Sequence, residues 1–140
     1  MGASSTISYR IRPKLTSEEL NELFCVSWPD HRWRDFQPIL NQSLTYICAY
    51  GQRGTGGVLI GYVNLAWDGG IHAFLLDTTV RPDWRRRGIG TELVRRAASV
   101  ARACGIEWLH VDCQPCLWGF YAGCGFQRTT AGLRKLCTDD

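Results

Sequence analysis

Between Leu44 and Val111 the spacing of apolar residues changes period once, and that change restricts the fold more than any other feature of the chain. Leu44–Tyr50, Val58–Trp67 and Ile71–Val80 read as strands, each rich in aromatic and β-branched residues. Glycine-rich turns over Gln52–Gly57 and at Asp68-Gly69-Gly70 separate them. Three strands joined by such turns predict an antiparallel meander. The period then becomes helical. Ile89, Leu93, Ala97, Val100, Ala101 and Cys104 share one face, and Glu92, Arg95, Arg96, Ser99 and Arg102 share the other. Gly105 ends that helix, and Ile106–Val111 reads as a buried strand. A helix joining two strands makes them parallel neighbours.

The flanking segments extend the pattern. Ile7–Ile11 is a short strand ended by Pro13. Thr16-Ser17-Glu18-Glu19 is a helix start, a hydroxyl cap followed by acids, and Leu20, Leu23 and Phe24 carry the helix to about Ser27. Pro29 stops it, and the irregular stretch Trp28–Phe36 leads into a short second helix. A further helix is expected over Pro115–Ala122 and a final strand within Thr129–Leu136. The expected fold is α/β, one mixed sheet with helices, and 140 residues suit a single domain over 1–140.

Composition narrows the class. Hydrophobic residues at 45% and charged residues at 21% fit a globular chain and exclude a disordered one. A net charge of +3 is too small to indicate nucleic acid as a partner. That charge is also local: Arg81 to Arg102 holds seven arginines and two acids, leaving −2 for the remainder. No stretch reaches the roughly 18 apolar residues a membrane helix needs, and no apolar leader is expected in Met1–Arg10. Seven cysteines cannot all pair internally, so a reducing, cytoplasmic setting is expected.

The segment Val80–Thr91 carries the chemistry. It lies between a strand end and a helix start, where unpaired amides and the positive end of the helix dipole favour phosphate. Gly88 and Gly90 remove Cβ atoms from the path of an anion, and Arg85, Arg86 and Arg87 add charge. The Walker pattern is absent, and Leu93 stands where a dinucleotide fingerprint needs its third glycine.

Arg85-x-x-Gly88-x-Gly90, preceded by Val80-x-Pro82, resembles the acetyl-CoA signature of the GNAT superfamily of N-acetyltransferases. Phe120-Tyr121-x-x-x-Gly125-Phe126 resembles a second motif of that family. The resemblance implies a central mixed, mostly antiparallel sheet with a splayed parallel strand pair, flanked by about four helices. It implies acetyl-CoA as cosubstrate, entering between the strands that end at Val80 and near Val111. The backbone of Thr79 and Val80 would pair with the pantetheine arm, and Arg85 to Thr91, including Ile89, would hold the pyrophosphate. Gln114 stands where the family often has an asparagine touching the same arm. Tyr121 matches the general acid that protonates the departing sulfur; a phenol keeps its proton at neutral pH.

Asp77, which interrupts the apolar run Phe74-Leu75-Leu76, is the first candidate to take the amine proton or bind the ammonium; its position in a strand is expected to be buried. Asp112 and His72 are further candidates on the acceptor side, and the imidazoles of His110 and His31 are possible bases. The loop after the first helix offers Trp28 and Trp33 as walls and Asp30 as an ammonium partner. The acceptor is expected to be an amine of a small molecule or peptide, with homodimers common in the family. Two other classes stay open: a non-catalytic acetyl-CoA-binding module, and a thiol-redox protein using Cys113-Gln114-Pro115-Cys116. A metal site would need ligand pairs that the spacing does not supply.

Overall fold

The computed structural model describes residues 6–52 and 57–137, so most of the glycine-rich turn expected at Gln52–Gly57 lies outside the described residues. The described chain opens with strand β1 (Thr6–Ile11) and helices α1 (Ser17–Ser27) and α2 (Gln37–Gln42). Strands β2 (Thr45–Gln52), β3 (Gly57–Trp67) and β4 (His72–Val80) follow, then α3 (Ile89–Ala103), β5 (Trp108–Val111) and α4 (Trp118–Gly123). The sheet order is β1-β2-β3-β4-β5. The first four strands are antiparallel, and β4 and β5 are parallel.

Two apolar clusters clothe the two faces of this sheet. On one face Ile47, Ile60, Val63, Leu65 and Leu75 meet Ile89, Leu93, Val94, Ala97 and Ala101 of α3. On the other, Cys48, Leu59 and Tyr62 meet Leu20, Leu23 and Phe24 of α1 and Leu40 of α2. The result is a three-layer sandwich with four helices around a mixed sheet. Among the described residues no helix is long and apolar enough to cross a membrane.

Local chemistry explains the elements. Thr16 caps α1: its Oγ1 accepts the Glu19 amide at 3.1 Å, and the Glu19 carboxylate reaches back to the Thr16 amide. Gly88 precedes α3 at φ 77°, a left-handed turn that a side chain would strain. Trp84, in a 3-10 turn over Pro82–Trp84, is buried against Gly51, where an added Cβ would fall 2.7 Å from the indole ring.

Four expectations are corrected. Residues 129–136 are not a strand: Leu133 and Leu136 are 87% and 84% exposed. Their three-residue spacing gives a strand no single apolar face, and Gly132 weakens it further. The fifth strand begins at Trp108 rather than Ile106 and is not buried; Trp108 is 62% exposed. Cys104 caps the end of α3 at the surface instead of packing with its face. Asp77 is exposed, because a bulge rotates it out of the alternation that buries Ala73 and Leu75.

Candidate active site

The parallel pair does not run the length of β4. Pairing with β5 covers His72–Leu75 against Trp108–Val111 and stops there. From Leu76 to Val80, β4 keeps β3 on one side only, because β5 ends at Val111, so this edge of β4 is open where the family resemblance expects the cosubstrate cleft. At the same point the β3–β4 register slips: Tyr62 faces Thr79 but Asn64 faces Leu76, so Val63 opposes two residues of β4. Asp77 takes up the extra length with φ 57°, and the Thr79 hydroxyl donates to its carbonyl at 2.9 Å. A left-handed aspartate inside a strand is costly, and such strain gathers at functional sites.

The second motif builds one wall of the cleft. Tyr121 is 7% exposed, in the α3-side cluster, with Phe120 and Phe126 edge-on to its ring at 4.9 and 5.8 Å. Gly125 (φ 97°) turns the chain so that the Phe126 amide reaches the Tyr121 carbonyl at 3.2 Å, which accounts for the spacing of the motif. The Tyr121 hydroxyl lies beside that of Thr78, whose Oγ1 is buried without a hydrogen-bond partner. Burial pushes the Tyr121 phenol above its ordinary range, Thr78 pulls it back, and the Cys113 and Cys124 thiols push it further up. The phenol therefore holds its proton at neutral pH.

Asp77 stands on the opposite wall. Its charge acts on Tyr62, a member of the α1-side cluster, so the sheet separates Asp77 from Tyr121 except where β4 and β5 part. Although exposed, Asp77 is hemmed in enough that lost hydration raises its pKa, and the Arg34 guanidinium opposes that rise more weakly.

The segment expected to hold phosphate lies at the start of α3. The first helical bond of α3 runs from the Glu92 amide to the Gly88 carbonyl, so the amides of Ile89, Gly90 and Thr91 have no acceptor within the helix. Ile89 buries its side chain and can offer only backbone. Arg85, Arg86 and Arg87 are exposed beside this end. Arg85 Nε donates to the Val80 carbonyl at 3.1 Å, and the Arg87 guanidinium lies 4.8 Å from the Trp84 ring centroid. Gly90 makes room for protein rather than for an anion: a Cβ there would lie 3.3 Å from the Phe120 ring. The two family-like motifs thus touch. Amides without a helical acceptor beside clustered guanidinium groups are an arrangement that suits a phosphate-bearing ligand.

The remaining candidates scatter. Gln114 is exposed at the cleft mouth, where its Oε1 accepts from the Cys116 thiol at 3.9 Å; Asp112 is exposed just after β5. Trp28 stacks on Phe24 at 4.1 Å and is half packed into the core, whereas Asp30 and Trp33 are exposed. His72 lies at the start of β4, at the far end of the paired segment from the cleft, bonded to His110 at 2.9 Å. His31 donates to the Asn21 Oδ1 at 2.8 Å. All seven cysteines are free; Cys113 faces the core cluster and Cys116 the surface. Among the described residues no three His, Cys, Asp or Glu side chains gather to hold a metal ion. The sequence did not reveal Thr78 beside Tyr121, since that proximity joins distant segments. A polar Asn21 among Leu20, Leu23 and Phe24 was the available signal that the following loop is held in place.

A model of the acetyltransferase (GNAT) family matches residues 14–126. A mycothiol acetyltransferase of Mycolicibacterium vanbaalenii is 42% identical over 59 residues, 42% of this chain and 20% of that protein. Glucosamine 6-phosphate N-acetyltransferase 1 of Oryza sativa subsp. japonica is 44% identical over 50 residues, 36% of this chain and 30% of that protein. The aligned part thus spans about a fifth of the mycothiol acetyltransferases. A GNAT family acetyltransferase from Streptococcus pneumoniae superposes with TM-score 0.73 at 21% identity, over 96% of this chain and 100% of that one. An aminoglycoside N-acetyltransferase solved in complex with CoA gives 0.74 at 20% identity, over 98% and 99%. These likenesses show the fold.

Proposed function

This chain belongs to the GNAT acetyltransferase family, and we propose that it moves the acetyl group of acetyl-CoA, the cosubstrate of that family, to a primary amine by direct attack in a ternary complex. The observation that supports the reading is the open edge of β4 past Leu75, with Tyr121 beside Thr78 and Asp77 at the adjoining bulge. Acetyl-CoA, when bound, supplies an activated carbonyl and a sulfur leaving group. The chain's own residues supply the rest. The amides at the start of α3, with Arg85, Arg86 and Arg87, bind the pyrophosphate; the open edge of β4 at Thr79 and Val80 receives the amide groups of the arm, with Gln114 at the mouth. Tyr121 holds a proton at its hydroxyl, ready for a departing thiolate. Asp77 takes the ammonium proton, directly or through water, and its raised pKa makes it a stronger base than an ordinary carboxylate.

The test is thiol release from acetyl-CoA across a panel of small amines, polyamines and peptide N-termini, alongside calorimetry with CoA. Tyr121→Phe should lower kcat about 100-fold, the scale of general acid catalysis, while CoA still binds. CoA binding with no thiol release for any amine would instead favour a non-catalytic binding module.

A further inference from the structure

The face of the sheet that packs on α1 and α2 is only half clothed. Its apolar cluster draws Tyr46, Cys48, Leu59 and Tyr62 from β2 and β3, and among the described residues it has no member in β4 or β5. Alternation decides which side chains are left there. Ala73 and Leu75 of β4 lie in the α3-side cluster, and Leu109 and Val111 of β5 pack against it. Their neighbours in each strand therefore point to the opposite face: His72, Phe74 and Leu76 on β4, Trp108 and His110 on β5. The register sets His72 beside Trp108 and Phe74 beside His110, so these side chains form one continuous patch.

The patch is ordered without being covered. The Phe74 and His110 rings stack at 4.7 Å with 21° between their planes, and the His72 and His110 imidazoles bond at 2.9 Å. Phe74, Leu76 and Trp108 nevertheless stay 39%, 44% and 62% exposed, so the core of the fold does not account for them. Apart from the two imidazoles the patch holds no ionisable side chain. A contiguous apolar patch left open in this way marks a binding surface.

Size and charge choose its occupant. Three same-face residues cover about 14 Å along β4, and two strands with their side chains are about 10 Å across. That suits a small molecule and falls well short of the roughly 800 Å² per partner of a stable protein interface. The patch also ends at a carboxylate. Leu76 is followed directly by Asp77, exposed at the bulge where the edge of β4 opens. An apolar surface faced with flat rings and closed at one end by an anion is complementary to a ring that carries a cation. We propose that the acceptor is a primary amine joined by a short chain to an aromatic ring, with the ring on Leu76 and Phe74 and the ammonium at Asp77. The chain is short because Leu76 adjoins Asp77 and Phe74 lies only about 7 Å beyond Leu76 on the same face. This rests on the reading that an amine is acetylated at the open edge of β4, and it names the class of that amine.

Ethylamine, 2-cyclohexylethylamine and 2-phenylethylamine test it. Binding to the CoA-saturated protein is measured by calorimetry, and turnover by thiol release. 2-Phenylethylamine should bind at least about tenfold more tightly than ethylamine, the scale of burying one ring against others. It should also bind more tightly than the cyclohexyl amine, which is apolar but not flat. Phe74→Ser and Leu76→Ser should each remove most of the preference. Trp67→Ser, at an exposed position that pairs with Ala73 and so lies on the opposite face, should leave it intact. The proposal is overturned if ethylamine and 2-phenylethylamine bind alike, if neither binds, if the cyclohexyl amine binds as well as the aromatic one, or if both serine variants keep the preference. It is overturned equally if sedimentation shows a dimer that Trp108→Ser converts to a monomer, since a second copy would then occupy the patch. The matched amines need no variant, so a misfolded variant does not blunt the test. An aromatic preference in binding with no thiol release for any amine would count against acetyl transfer alone; thiol release that is as fast for ethylamine, with no preference in binding, would count against the aromatic acceptor alone.

Discussion

Asp77 shows how much a single backbone angle controls. A period-two strand would have buried it; the left-handed bulge turns it outward instead. Because lost hydration raises its pKa, the activity proposed above should be present above that raised pKa and fall as pH drops through it. The acid limb of kcat/KM measures this, and Asp77→Asn should remove the limb together with most of the rate. Gly51 gives a stability test far from the chemistry. Gly51→Ala puts a methyl group 2.7 Å from the Trp84 ring, and overpacking of that kind costs about 1–3 kcal/mol by urea denaturation. The motif residues Gly88, Tyr121 and Phe126 could be read in the sequence, though not the left-handed turn that Gly88 makes. Asp77's exposure and Thr78's orphan hydroxyl could not, because no local pattern encodes a bulge or a contact between segments more than 40 residues apart.

At the scale of elements, chain order and periodicity were nearly sufficient. The capped start of α1, the meander and the β4–α3–β5 crossover all lie within a few residues of where apolar spacing and turn residues put them. The exception, residues 129–136, has β-compatible residues but no apolar face to dock. Helix α3 joins the end proposed above to bind phosphate to a self-stabilising surface. Glu92 accepts from Arg95 Nη2 at 2.6 Å and from Arg96 Nε at 2.7 Å, and these contacts hold its pKa down to about 2. Such a carboxylate contributes stability above its ordinary pKa, and the contribution disappears as pH falls from there through about 2. Glu92→Gln should therefore lower Tm at pH 7 and leave it unchanged below pH 2, by a margin that shrinks with salt because the pair is solvent-screened. At the other end, changing Arg85, Arg86 and Arg87 to glutamine should weaken CoA binding and flatten its salt dependence, as titrations at several ionic strengths would show.

The whole molecule sorts its chemistry by depth. Cys25, Cys104, Cys116 and Cys137 are exposed, Cys113 and Cys124 are half-buried around Tyr121, and Cys48 lies in the α1-side core with its pKa pushed up to about 12. Alkylation followed by mass spectrometry should label the exposed four first. Cys48 should be modified only when the sandwich opens, so its labelling rate reports global unfolding. The same three layers bind the two motifs into one unit, since Gly90 at the start of α3 and Phe120 in α4 share a contact that leaves no room for a methyl group without movement of the ring. Positions 90 and 120 therefore cannot drift independently. A descendant that acquires alanine at the first must shift or trim the ring at the second. Because that ring lies edge-on to Tyr121, a side chain added at position 90 is felt at the group proposed above as the acid.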